Sequence, residues 1–165
     1  MTCVQCGARL RTRRENCAYD AGWLPGVLLM NVAVSRCPEC GDLEISIPAI
    51  EDLHRRLAME VIHKKTTLAG TEIKFIRKYL GFSGVDFARV ICVAPETISR
   101  WENGHEVISP TTDRLLRLMV ANLRPVSAYP NEELKSIARS TVKPKPVKVS
   151  LRLKGESWRP VPVPA

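Results

Sequence analysis

The stretch Phe82-Ser83-Gly84-Val85-Asp86-Phe87-Ala88-Arg89-Val90-Ile91-Cys92-Val93-Ala94-Pro95-Glu96-Thr97-Ile98-Ser99-Arg100-Trp101-Glu102-Asn103-Gly104 decides the reading of this chain. Ser83 suits the N-cap of a short helix, because its hydroxyl can accept from an otherwise unpaired backbone N–H. Phe87, Ala88 and Ile91 then share the inward face of that helix. Pro95 fits the first position of a second helix, where its missing N–H costs nothing. Ile98 and Trp101 share the inner face, and Gly104 ends the helix. Ala88 permits close helix approach and Val93 plugs the connection. Glu96, Thr97, Arg100 and Asn103 are left outside.

Working outward, Thr71 can cap a preceding helix carrying Ile73, Ile76 and Leu80, stopped by Gly81. Thr111 or Thr112 can open a following one, with Leu115, Leu116, Leu118, Met119 and Leu123 apolar before Arg124-Pro125 stops it. Upstream, Ile50, Leu53, Leu57 and Val61 recur at helical spacing and predict a helix over 50–63.

The N-terminal segment has a different chemistry. Cys3-Val4-Gln5-Cys6-Gly7 and Cys37-Pro38-Glu39-Cys40-Gly41 are two copies of one pattern, thirty residues apart. A tight turn can aim both thiolates of such a pair at one ion, and the following Gly allows the chain to reverse. Together Cys3, Cys6, Cys37 and Cys40 complete a closed four-sulfur shell, which predicts one structural zinc; an iron site of the same geometry stays open beside it. Val27 to Val34 reads as a strand entering the second pair, and Leu43, Ile45 and Ile47 alternate with polar residues as a strand leaving it. This is the pattern of a zinc ribbon. A redox pair would want one such motif at a helix start. A catalytic zinc needs an open position and a nearby base, whereas His54, His63 and His105 lie outside the cysteine framework. Cys17 reads as a spare or half-buried thiol and Cys92 as a small core or turn residue. Loss of the metal is expected to unfold 1–48 and leave the helices largely intact.

Composition fits a soluble binding protein. The 165 residues are 45% apolar with a net charge of +8. Residues 125–165 hold eight Lys/Arg against three Asp/Glu, so most of the excess lies in the last quarter. Positive charge favours polyanions, nucleic acid first. No apolar run is long enough for a membrane span. The start Met1-Thr2-Cys3 carries no secretory pattern, so a cytoplasmic protein is expected. Seven of the twelve prolines follow residue 124, which argues against a large extra core there. A short helix over 131–139, one amphipathic strand over 147–153 and an extended, mobile end from Arg159 are expected.

The expected fold is therefore α+β: a β-rich zinc ribbon (1–48), a connecting helix and linker (49–69), an all-α helical domain (70–124) and a basic Pro-rich tail (125–165). Residues 70–124, and 98–104 above all, resemble the Cro/repressor-type (XRE) helix-turn-helix. That resemblance implies base-edge contacts from Glu96 and Arg100 with Thr97 beside them, since Arg can fork a guanine edge and Glu can accept from cytosine. Ser99 and Asn103 would touch phosphate or cap the turn. It also implies an ion pair of Arg77 with Glu102, locking the first helix to the third. Gly84 stands where the family usually has Gln, and Cys92 where it usually has Gly. The joint architecture resembles the MqsA-like (YgiT-type) antitoxins, in which the zinc domain neutralises a toxin and the helix-turn-helix domain dimerises and represses its own promoter. The resemblance implies a homodimer on a palindromic double-stranded operator, with a toxin protein as a further partner. Two other readings stand beside it: a zinc-stabilised repressor of other genes without a toxin, and an interaction module that has lost DNA binding. No nucleophile–base pair, phosphate loop or open metal site suggests an enzyme.

Overall fold

The computed structural model describes residues 1–20, 24–123 and 146–162. The chain runs β1 (Arg11–Tyr19), β2 (Val27–Arg36), β3 (Leu43–Ser46), α1 (Ile50–His63), α2 (Gly70–Tyr79), α3 (Gly84–Val90), α4 (Pro95–Glu102), α5 (Pro110–Leu123), β4 (Val149–Lys154) and β5 (Ser157–Val161). The fold is α+β, with a ribbon-like sheet whose turns carry the cysteines and a helical unit after it.

The central strand is β2. Along one edge it pairs antiparallel with β1. Its remaining pairings are divided between antiparallel β3, opposite residues 33–36, and parallel β4, opposite residues 27–30. The change of partner falls at Asn31, which has φ 56° and whose N–H is accepted by the Asn16 side chain at 3.2 Å. The β1–β2 register slips at the same place, between Glu15 and Cys17. A bulge of this kind shifts the two-residue side-chain period by one. As a result Val27 and Leu29 before it, and Val32 and Val34 after it, are all buried.

The tail differs from expectation. The alternation predicts a strand over 147–153 without fixing its partner, and β4 joins the N-terminal sheet through β2. The prolines from Arg159 onward predict an extended, mobile end, yet 159–161 belong to β5, which pairs with β4. The reason is Trp158, which is fully buried. Its backbone N–H donates to Asp52 Oδ2 at 2.8 Å, and its indole N–H donates to the Pro48 carbonyl at 3.1 Å. Val149, Leu151 and Trp158 thus contribute to one apolar core shared by the sheet, α1 and the later helices. The short helix expected over 131–139 lies outside the described residues.

The linker 64–69 is held from both sides. Arg117 on α5, wholly buried, donates to the carbonyls of Ile62, Lys64 and Thr66 at 2.6–2.8 Å and pairs with Asp113 at 2.6 Å. Asp113 in turn accepts from Leu68 N–H at 2.7 Å. Buried Glu72 accepts from Lys64, from Ala69 N–H and from Val147 N–H, tying linker, α2 and tail together. These three buried charges, Arg117, Asp113 and Glu72, are therefore all partnered, as burial requires.

Candidate DNA-binding surface and metal centre

The helix-turn-helix is built by local sequence. Ser83 caps α3, its Oγ accepting from Asp86 N–H at 3.1 Å. Phe87 and Ala88 are buried, and Val93 N–H closes the turn onto the Ala88 carbonyl at 2.9 Å. Cys92 occupies the turn at φ 56° and is exposed. That left-handed conformation favours Gly, so a Cβ here is strained. Pro95 opens α4, which buries Ile98 and Trp101.

Two caps differ from those read in the sequence. Ala69, not Thr71, caps α2, because the Glu72 carboxylate reaches back to the Ala69 N–H. Ser109 serves α5, its Oγ accepting from Thr112 N–H at 3.1 Å with Pro110 in the first position. On α5, Leu116 and Val120 are buried while Leu115 and Leu118 stay exposed.

The structure brings Arg77 and Glu102 together. Arg77 Nε donates to Glu102 Oε1 at 2.5 Å and Nη2 to Oε2 at 3.0 Å, while Nη1 donates to the Phe82 carbonyl at 3.0 Å. Both side chains are about nine-tenths buried, at 8% and 10% exposure. Two parallel bonds fix direction as well as distance, so α4 is held against α2 by a fork. Gly70 adds a close approach at the same joint: a Cβ there would lie 2.4 Å from the Trp101 carbonyl oxygen.

With its inner face so fixed, α4 presents Glu96, Ser99, Arg100 and, at its end, Asn103 to solvent, with Thr97 half-buried. The Asn103 amide donates to the Ser99 carbonyl at 2.8 Å and lies near Ser99 Oγ at 3.3 Å, closing the end of the helix. Arg100 is 65% exposed and lies 4.0 Å from Glu106, a loose pair in solvent. Arg89 on α3 pairs with Asp86 at 3.2 Å. The outward cations of α3 and α4 each have a carboxylate close by, and Glu96 adds another. Among the described residues, the outward face of α3 and α4 is therefore mixed in charge rather than a basic patch.

The candidate metal centre is formed by two matching knuckles. Cys3 N–H donates to Ala8 O and Gly7 N–H to Cys3 O, at 2.8 and 2.9 Å; Cys37 N–H donates to Asp42 O and Gly41 N–H to Cys37 O, at 2.9 and 3.1 Å. Gly7 and Gly41 turn the chain at φ 76° and 75°. The four sulfurs lie within 4.8 Å of one another, with Cys3–Cys40 at 3.6 Å and Cys6–Cys37 at 3.4 Å. Tetrahedral Zn–S bonds would place sulfurs about 3.8 Å apart, so the donor set fits a metal ion such as zinc.

The acid–base behaviour points the same way. The Cys37 thiol is drawn down to about 7, chiefly by the backbone N–H of Cys40, with burial opposing and the Glu39 N–H and Cys6 assisting. Cys40 is pushed up to about 12: the Asp42 N–H acts to lower it, but the Cys37 side chain, burial, Cys3 and Cys6 together raise it further. Crowded thiols resist ionising together, and a cation in their midst removes that conflict. Cys17 is half-buried against the core and Cys92 is exposed in the turn, both outside the shell.

Several positioning residues went unread in the sequence. The i,i+4 spacing of Asp113 and Arg117 on a helix was a usable signal. Gly70 had none, because only the folded approach of α4 reveals it.

No helix among the described residues is long and apolar enough to cross a membrane. No curated protein and no solved structure gives a significant match to the chain. Residues 73–121 match the helix-turn-helix family, so the protein carries a helix-turn-helix domain of the kind found in DNA-binding transcription regulators.

Proposed function

We propose that this protein is a sequence-specific, non-enzymatic transcriptional repressor that reads DNA through α4, with Arg100 the principal base-reading side chain. The observation that carries this reading is the contrast within one helix. Ile98, Trp101 and the Arg77–Glu102 fork immobilise its inner face, while Arg100 projects 65% exposed from the outer one. A helix held this way can enter a major groove in fixed register. Glu96 and Thr97 would read beside Arg100, and Ser99 and Asn103 lie at the phosphate side. In the complex Arg100 exchanges Glu106 for a guanine edge. Among the described residues, the cations that α3 and α4 turn outward each lie beside a carboxylate, so these two helices add little to the salt slope and base contacts carry their share of the affinity.

In this reading one zinc ion, held by Cys3, Cys6, Cys37 and Cys40, is structural. Leu115 and Leu118, exposed on α5, supply an apolar face for a homodimer on a palindromic operator. The chain acts in the cytoplasm as the antitoxin of a toxin–antitoxin pair and represses its own operon. An adjacent gene for a small basic ribonuclease-like toxin, whose product copurifies with this chain, supports the antitoxin role. A copurifying toxin that leaves promoter binding unchanged argues against coupled autoregulation.

A second reading, a protein-interaction module without DNA binding, is favoured by the carboxylates beside Arg89 and Arg100. Glu106→Gln separates the two. It should raise affinity for the upstream DNA if Arg100 reads bases, and change nothing if the face never meets DNA.

A further inference from the structure

The zinc-ribbon face holds an electrostatic conflict that neither the metal nor the helix-turn-helix uses. In the β1–β2 ladder Arg11 lies directly across from Arg36, and Arg13 across from Val34. Like charges placed opposite each other weaken a sheet. One carboxylate answers them: Glu15 pairs with Arg36 at 2.5 Å, both ends exposed. Arg11 and Arg13 form no ion pair among the described residues. Together with Cys37 and Pro38 these side chains line an open cavity of about 370 Å³ over buried Val34.

Beside this cavity the sheet ends. Among the described residues β1 pairs with β2 alone, so its outer edge carries unpaired backbone groups over a nine-residue strand without proline. Of the other edge strands, β5 contains Pro160, which cannot donate to a ladder, and β3 is only four residues long. β1 is thus the edge suited to accept another strand. A strand added there would set its alternate side chains on the same face as Arg11 and Arg13.

We propose that the outer edge of β1, with the Arg11–Arg13–Arg36 cavity, is a docking site for an extended acidic segment of a partner protein. The segment adds as a strand and places carboxylates at alternate positions against Arg11 and Arg13, relieving the opposition to Arg36. A peptide fits better than a nucleic acid backbone. The strand edge offers carbonyls as well as N–H groups, and phosphates can only accept. The site selects negative charge, so it is not the natural complement of a basic toxin and stands independently of the antitoxin reading.

The test uses the full-length, metal-loaded protein and a fluorescent peptide of about eight residues alternating Glu and Val. A second peptide has Gln in place of Glu. The Glu peptide should bind, and the Gln peptide should bind about tenfold more weakly. Arg11→Gln with Arg13→Gln should lower affinity for the Glu peptide by a similar factor. Hydrogen exchange on the unmutated protein provides a reading that does not depend on variant folding: bound peptide should slow amide exchange in 11–16. The proposal is overturned if both peptides bind alike or if protection falls elsewhere. It is likewise overturned if a random DNA duplex displaces the peptide and protects 11–16 itself, or if those amides slow on self-association alone.

Discussion

Removing the Arg77 side chain should cost the fold more than any surface charge in this chain. Arg77→Ala deletes three hydrogen bonds and leaves the Glu102 carboxylate, 10% exposed, without its partner. Breaking a buried pair on one side typically costs about 3–5 kcal/mol, most of it the stranded charge. The residual exposure brings the expectation to roughly 3 kcal/mol, a large share of the 5–15 kcal/mol that holds a typical domain. For a chain of this size that corresponds to about 10 °C in Tm. Arg77→Met with Glu102→Leu removes both charges and should recover most of the loss. Urea denaturation of Arg77→Met, of Glu102→Leu and of the double variant closes a thermodynamic cycle, with an expected coupling of about 2 kcal/mol or more. A single-variant loss below about 1 kcal/mol, or additive losses, would refute the claim that the fork locks α4 against α2.

Three further predictions follow from particular residues. Cys92→Gly relieves a left-handed Cβ at φ 56° and should raise stability by about 0.5–1 kcal/mol, after allowing for the greater freedom of Gly when unfolded; a lowered melting temperature would count against the strain. Burial depresses the His54 pKa below its ordinary 6.5, so the unfolded chain takes up the proton first. His54 should therefore favour the fold fully above pH 6.5 and progressively less as acid is added, until its folded pKa is passed. That slope should vanish in His54→Asn, and an unchanged slope would assign it to other groups. Chelation should broaden the amide signals of the two knuckles, because Cys3, Leu10 and Cys37 form their own small cluster. Residues 27–34 share a core with α1, β4 and the helices and should persist, so the unfolding that the sequence predicts over all of 1–48 narrows to the knuckles. Loss of the whole sheet on chelation would show that the core does not stand without the ion.

The helices were legible because their apolar spacing survives into the core: Leu53, Leu57, Val61, Ile98 and Trp101 are all buried. The cysteine knuckles were legible because two short motifs suffice to define them. β1 was not, since Arg11-Thr12-Arg13-Arg14 at its start is exposed on an edge and shows no apolar period. The tail hairpin misled for the opposite reason. Its prolines suggested an unstructured end, whereas one residue, Trp158, anchors it by burial and two hydrogen bonds. The bulge at Asn31 also hid part of the pattern: two phases of alternation in β2 feed one face, which a single-period reading cannot join. Partners close in sequence leave a trace there, and partners such as Glu72 and Val147, seventy-five residues apart, leave none.

The account rests most directly on Arg100 reading bases from α4. Affinity of the full-length protein for the DNA upstream of its own gene, and for a random duplex of equal length, should be measured for the unmutated chain and for Arg100→Ala. The account predicts a loss of roughly 1–3 kcal/mol on the upstream DNA with little change on the random duplex. Equal losses on both duplexes, or no preference in the unmutated chain, would contradict it.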